Sequence, residues 1–442
     1  MKKAFTAIVM TVLALSVVFS GCSVEIRSID SLMRPPHTAM EAELKKSISA
    51  LIGDEISYRS PESGEDHSAI TIRDINHDGV NEAVVFYVKN DDTSTVRMCV
   101  LTQSGDDWLL VSDFTGNGNG VLTVNFDDLN DDNDEEILVT WFIFNDKSQK
   151  KLSIYAADTN DNSLKVTSCI SEPYNIMTVT DAYGDGEKQL LVAYSNITKD
   201  TDKNTLKFIG VSKDNEISIL NEIILDNRIV NLTSISTDLP ADGGNPRLYV
   251  DARVSDKNSI TQVIEWNESQ RNFVSSINDS NANDITLRSS SLICKDIDGD
   301  GIIEIPIQKP LSESNNSDTS LAYMLEWCEI CDSVLVPQEY HIVNMLENYT
   351  LYFPKEWKDK IFVRSDNSAR TWHFVDTDEN VLFSISACMF EEWDETNFDT
   401  AQMLMIQNET VYFCTITDAG AENGILIADL MSYFTVIINS QG

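Results

Sequence analysis

Oxygen-bearing side chains fall at alternate positions in Asp74-Ile75-Asn76-His77-Asp78-Gly79-Val80-Asn81-Glu82, with a glycine after the third and another carboxylate at the ninth position. Hard oxygen ligands gathered in one flexible turn are the chemistry of a cation site, and they suit Ca²⁺ far better than zinc. The apolar run Ala83 to Val88 follows at once, so the loop opens a buried strand. The arrangement recurs. Asp128, Asn130, Asp132 and Glu136 precede Ile137 to Trp141, and Asp296, Asp298, Asp300 and Glu304 precede Ile305. Two copies are degraded. Asp181 to Gly186 precedes Leu190 to Tyr194, with Tyr183 in the second ligand position and Gln189 where a carboxylate would stand; Asp238 to Gly243 precedes Leu248 to Val250. Asp, Asn and Gly also favour plain solvated turns, but three near-complete copies at one period favour metal binding.

The loops begin at residues 74, 128, 181, 238 and 296, a period of 53 to 58 residues that signals a repeat architecture. About 25 residues after each loop begins comes a second hairpin signal, such as Met98 to Thr102, the turn Ser104-Gly105-Asp106-Asp107, and Trp108 to Val111. Two hairpins per repeat give four short antiparallel strands, which must stack on neighbours to bury both faces. The expected fold is therefore mostly β, a β-propeller of about five four-stranded blades over residues 67–338, followed by a small α+β domain over 339–442.

The motif D-x-[DN]-x-D-G-x-x-[DE] before a hydrophobic strand, repeated at this period, resembles the FG-GAP/VCBS-type β-propeller repeats of exported and surface proteins. The resemblance implies that Asp74, Asn76, Asp78 and Glu82, with the carbonyl of Val80, hold a structural Ca²⁺. It implies the same of Asp128, Asn130, Asp132, Glu136 and of Asp296, Asp298, Asp300, Glu304. An EF-hand would need an acid at position twelve and a flanking helix. Position twelve is instead Val85, Val139 and Ile307, each inside a β-run.

The balance of 32 basic against 71 acidic residues, a net charge of -39, disfavours nucleic acid as a partner. Lys2-Lys3 and the apolar stretch Ala4 to Val18 read as an export signal, too short for a comfortable membrane span. The segment ends in Phe19-Ser20-Gly21-Cys22, which resembles a lipoprotein lipobox with Phe19 where Leu is usual. The resemblance implies cleavage after residue 21, lipidation of Cys22, and an extracytoplasmic, membrane-anchored protein. Residues 23–66 read as a tether with a stiff break at Pro35-Pro36, then a helix. Thr38 and Glu41 form a capping box, Met40, Leu44, Ile48, Leu51 and Ile52 share one face, and Gly53 ends it.

Trp327-Cys328-Glu329-Ile330-Cys331 has the look of a redox motif but falls in a hairpin signal, whereas such a pair opens a helix. No two of the five histidines have helical ligand spacing, and no nucleophile elbow, phosphate loop or dinucleotide fingerprint is present. After Pro337, strands are expected near residues 350–353, 361–364, 372–375, 381–387 and 411–417, with helices over 398–406 and 424–438. This pattern, with its aromatic-Pro-x-x-Trp start at Phe353, resembles the PsbP/Mog1-like domains of bacterial lipoproteins. The functional expectation is a binding module for a surface protein or glycan rather than an enzyme; the alternative is a carbohydrate-active enzyme on the same propeller.

Overall fold

The computed structural model describes residues 39–437 apart from 144–145, 161–162, 196–202, 241–242, 278–281, 290–291, 312–321, 367 and 394–399. The expectations at Cys22, Pro35-Pro36 and Thr38 lie outside the described residues. Helix α1 (Ala39–Ile52) comes first and ends at Gly53, whose φ of 112° suits a residue without Cβ.

Six separate sheets follow. The first contains β1 (Ile56–Tyr58), β2 (Ile70–Arg73), β3 (Glu82–Lys89), β4 (Asp92–Ser104) and β5 (Asp107–Thr115). β1 and β2 lie end to end along one edge of β3. The second is the antiparallel meander β6 (Gly120–Asp127), β7 (Glu136–Ile143), β8 (Asp146–Asn160) and β9 (Ser163–Tyr174). The third repeats it with β10 (Ile176–Thr180), β11 (Gln189–Tyr194), β12 (Thr205–Val211) and β13 (Ile217–Ile224). The fourth has β14 (Asn231–Asp238), β15 (Arg247–Arg253), β16 (Asn258–Asn267), β17 (Asn272–Ser275) and, after the short α2 (Ala282–Ile285), β18 (Arg288–Ser289).

The fifth joins β19 (Ile305–Pro310), β20 (Ala322–Cys331), β21 (Val334–Asn344) and β22 (Tyr349–Tyr352) to the last strand of the chain, β28 (Phe434–Val436). The sixth holds β23 (Phe362–Asp366), β24 (Thr371–Val375), β25 (Val381–Met389), β26 (Ala401–Gln407) and β27 (Thr410–Ile416), followed by α3 (Asp418–Glu422) and α4 (Ile427–Tyr433).

Side chains alternate across a strand, and here both faces of each second strand are used. Val84, Phe86 and Val88 of β3 pack with Ile137, Val139 and Trp141 of β7. Ala83, Val85 and Tyr87, on the opposite face of β3, lie under Leu44 and Ile48 of α1. Leu138 of β7 meets Leu190 and Val192 of β11, and Leu191 and Ala193 of β11 meet Leu248 and Val250 of β15. Tyr249 of β15 packs with Ile305 and Ile307 of β19, and the last core joins Tyr340, Ile342 and Leu351 to Trp372, Phe374 and Phe383. Burial on both faces explains why these runs read as continuous apolar stretches rather than clean alternation.

The expected propeller is corrected by this packing. Each core joins one sheet to the next, and among the described residues none joins the first sheet to the fifth or sixth. Closure would require the free face of the first sheet to cover the last blade, and α1 occupies that face instead. The fold is mostly β, an unclosed stack of six four- and five-stranded sheets.

The cut expected between 338 and 339 falls inside β21, and β28 returns from the end of the chain to complete the same sheet. Of the helix expected over 398–406, residues 401–406 lie in the edge strand β26, and 398–399 lie outside the described residues. Of the helix expected over 424–438, the structure has only α4, Ile427–Tyr433. Cys328 and Cys331 both lie on β20, free, the first buried and the second exposed.

Candidate metal loops

The first, second, third and fifth loops fold alike, because the first Asp and the ninth residue fasten the turn from opposite ends. The first carboxylate accepts backbone N–H bonds from the fifth or sixth residue. Asp74 takes Asp78 N and Gly79 N at 3.1 and 2.9 Å, and Asp128 takes Asp132 N and Asn133 N at 3.2 and 3.0 Å. Asp181 and Asp296 likewise hold Gly186 N and Gly301 N, at 2.8 and 3.0 Å. The sixth residue has positive φ throughout, 86° at Gly79 and 91° at Gly301, which is why glycine stands there and why Asn133, at 81°, is the tolerated exception.

At the ninth position the carboxyl group turns inward. Glu82, Glu136 and Glu304 are fully buried. Each accepts the N–H of the loop's second residue on one oxygen: Ile75 at 3.0 Å, Leu129 at 3.0 Å and Ile297 at 2.9 Å. Their other oxygens differ. Glu82 Oε1 accepts from Thr102 Oγ1 at 2.8 Å, while Glu136 Oε1 and Glu304 Oε1 are buried with no hydrogen-bond partner among the described residues. Burial, reinforced by Asp132 and Asp128, pushes the Glu136 carboxyl up to about 8. Burial and the nearby Asp298 push Glu304 up to about 7, and burial raises Glu82 as well. An orphaned, buried carboxylate oxygen is costly unless a proton or a cation meets it.

The third position separates the loops. Asn76 Nδ2 donates to Asp78 Oδ2 at 3.1 Å, and Asn130 Nδ2 donates to Asp132 Oδ2 at 2.9 Å, which eases the crowding of acids; Asn76 Oδ1 is buried with no partner among the described residues. Asp298 has no such donor to offer. Asp296, Asp298 and Asp300 each bring a carboxylate oxygen within 4.8 Å of the others at the exposed surface. Three like charges so close repel strongly, and this cluster can coordinate a divalent metal ion. Val80, assigned a carbonyl ligand, sits at the equivalent turn of the first loop, where its N–H donates to Asp78 Oδ1 at 2.7 Å.

The loops also touch one another in sequence, which no single motif discloses. His77 Nδ1 donates to the Asn133 carbonyl at 2.8 Å, and Glu135 N donates to the Ile75 carbonyl at 2.9 Å. Lys188 Nζ donates to the Asp128 carbonyl at 3.0 Å. Gly184 packs so tightly on the fourth loop that a Cβ there would stand 2.8 Å from Pro246 Cδ. Ile303 N donates to Asp238 Oδ2 at 3.0 Å. Asn76 and Asn130 reach the following sheet, donating to Thr159 Oγ1 at 3.1 Å and to the Ser212 carbonyl at 3.0 Å. Position three therefore serves its own loop and the next sheet at once.

No protein-family model matches the chain, and no curated protein matches it. Among solved structures it is similar to a rhamnogalacturonan lyase from Bacillus licheniformis, at 11% identity and a TM-score of 0.31, over 65% of this chain and 66% of that one. It is also similar to a levansucrase variant from B. subtilis, at 9% identity and a TM-score of 0.26, over 70% of this chain and 93% of that one. A hypothetical selenium-binding protein from Sulfolobus tokodaii matches at 11% identity and a TM-score of 0.28, over 48% of this chain and 56% of its own length. Matches at these scores assign neither family nor activity. The expected membership in the FG-GAP/VCBS repeat and PsbP/Mog1-like lipoprotein families is corrected to a multi-sheet β fold of no assigned family. Both expected roles, a propeller binding module and a propeller-based carbohydrate-active enzyme, needed a closed ring with a central channel. The open stack supplies no such ring.

Proposed function

We propose that the Asp-rich loops are Ca²⁺ sites and that the ion's role is structural, bracing a stack of sheets whose neighbours meet at those loops. The observation that carries this reading is the convergence of Asp296, Asp298 and Asp300 beside a buried glutamate, Glu304, one of whose oxygens has no partner among the described residues. An all-oxygen donor set of several carboxylates in a flexible turn suits Ca²⁺, whereas Mg²⁺ demands a stricter octahedron and keeps its waters. The export pattern of residues 1–22 would bring the loops into an extracytoplasmic, calcium-rich setting.

Thermal melts of the full chain in Ca²⁺, in Mg²⁺ and in chelator test the reading. An ion bound only by the folded form stabilises it by about 2.7 kcal/mol per site at one hundred times its dissociation constant. Ca²⁺ is expected to raise the melting temperature more than Mg²⁺ does, and Asp300→Ala is expected to remove part of the rise. Identical melts of the wild type in Ca²⁺ and chelator would overturn the reading.

A further inference from the structure

We propose that the ninth residue decides whether a loop needs an ion, and that in the third loop the Gln189 amide does the work a cation does in the second and fifth. The proposal rests on the Ca²⁺ reading above. Gln189 Oε1 accepts Ala182 N at 2.7 Å, the same bond that Glu136 and Glu304 make to Leu129 N and Ile297 N. Its other end differs. Gln189 Nε2 donates at 2.7 Å to the carbonyl of Glu187, the seventh residue of the loop. Both ends of the amide are thus satisfied inside the turn, and the group is buried and neutral.

A glutamate in the same place, once ionised, can make only the first bond, because a carboxylate has no hydrogen to give the seventh carbonyl. Glu136 Oε1 and Glu304 Oε1 are the atoms left over, each buried without a partner among the described residues. A cation set against that oxygen would satisfy it, whereas the amide of the third loop leaves no such oxygen over. The third loop has a second mark of independence. Tyr183 fills its third position with an aromatic ring packed 4.7 Å from Trp266 and 5.2 Å from Phe273, so this position provides core packing instead of a ligand. Glu82 stands between the two types, since Thr102 already occupies its second oxygen. Ion dependence is therefore greatest in the second and fifth loops, weaker in the first and nil in the third.

Single variants of the full chain, melted in chelator and in Ca²⁺, test this. Glu304→Gln and Glu136→Gln are expected to melt in chelator no lower than wild type and to show a smaller Ca²⁺-induced rise. Gln189→Glu is expected to melt lower than wild type in chelator and to regain part of the loss in Ca²⁺. Gln variants that keep the full Ca²⁺ response, or that melt lower in chelator, would overturn the proposal while leaving the Ca²⁺ reading intact. So would a Gln189→Glu protein indistinguishable from wild type in both conditions. A wild type with no Ca²⁺ response would instead sink the reading on which the proposal rests.

Discussion

Arg288 and Asp251 form an ion pair sealed inside the fourth sheet, with side chains 0% and 1% exposed. Arg288 lies on β18, the two-residue strand after α2, and its guanidinium also donates to the carbonyls of Thr286 and Leu292. Asp251 on β15 accepts in addition from Cys294 N at 2.9 Å. The pair pins the segment that leads into the fifth loop against the sheet before it. Removing one partner of a buried pair leaves an uncompensated charge and costs about 3–5 kcal/mol. Arg288→Met is expected to destabilise the protein by about that much in urea unfolding. Adding Asp251→Asn, which removes the stranded charge, should recover part of the loss; a double variant no more stable than the single one would contradict this.

Helix α1 acts as an end cap, so its inward residues should matter far more than its outward ones. Leu44 is fully buried against the first sheet, whereas Leu51 is 45% exposed. Leu44→Ala is expected to cost about 2–5 kcal/mol, and Leu51→Ala to stay within about 0.5 kcal/mol. Equal effects in denaturant titrations would show that the helix is not seated as described.

Stability without metal should fall as pH rises. Burial lifts Glu136 from 4.5 to about 8 and Glu304 from 4.5 to about 7. The folded form therefore keeps protons that the unfolded chain has released. Their stabilisation is full below about pH 4.5 and is lost as pH climbs through 7 to 8. In chelator the melting temperature is expected to drop between pH 5.5 and pH 8, and Glu136→Gln is expected to flatten part of that slope. A slope unaffected by Glu136→Gln would separate the pH effect from this carboxyl.

The two cysteines of β20 should differ in reactivity by burial alone. Burial pushes the Cys328 thiol up to about 12, while Cys331 is exposed at the hairpin end. A thiol reagent at pH 8 is expected to label Cys331 rapidly in the native protein and Cys328 only on unfolding. Cys331→Ser should remove one equivalent of the fast phase, and an unchanged fast phase would refute the assignment.

The loops and strands were legible in the sequence because they are local. The spacing of Asp74, Asn76, Asp78 and Gly79 announces a turn, and the run Ala83 to Val88 announces a strand, whatever surrounds them. Closure is not local. Whether the first sheet packs on the last depends on what covers Ala83, Val85 and Tyr87, and the answer, Leu44 and Ile48, lies in a helix outside the repeat. The edge strand Ala401–Gln407 overlaps the helix expected over 398–406 because its apolar residues are exposed or half-buried and give no clean period of two. The inward turn of Glu136 and Glu304 has one local signal. Gln189 at the same position keeps the hydrogen-bonding shape while losing the charge, which marks the position as one that must bond the loop's own backbone.

The row of touching loops gives the protein a keel. From His77 through Lys188 and Gly184 to Ile303, each turn leans on the next along one side of the stack. Tension applied along that side would pass from turn to turn. If ions lock the second and fifth turns while an amide locks the third, calcium concentration would tune bending stiffness at those joints and leave the middle one rigid.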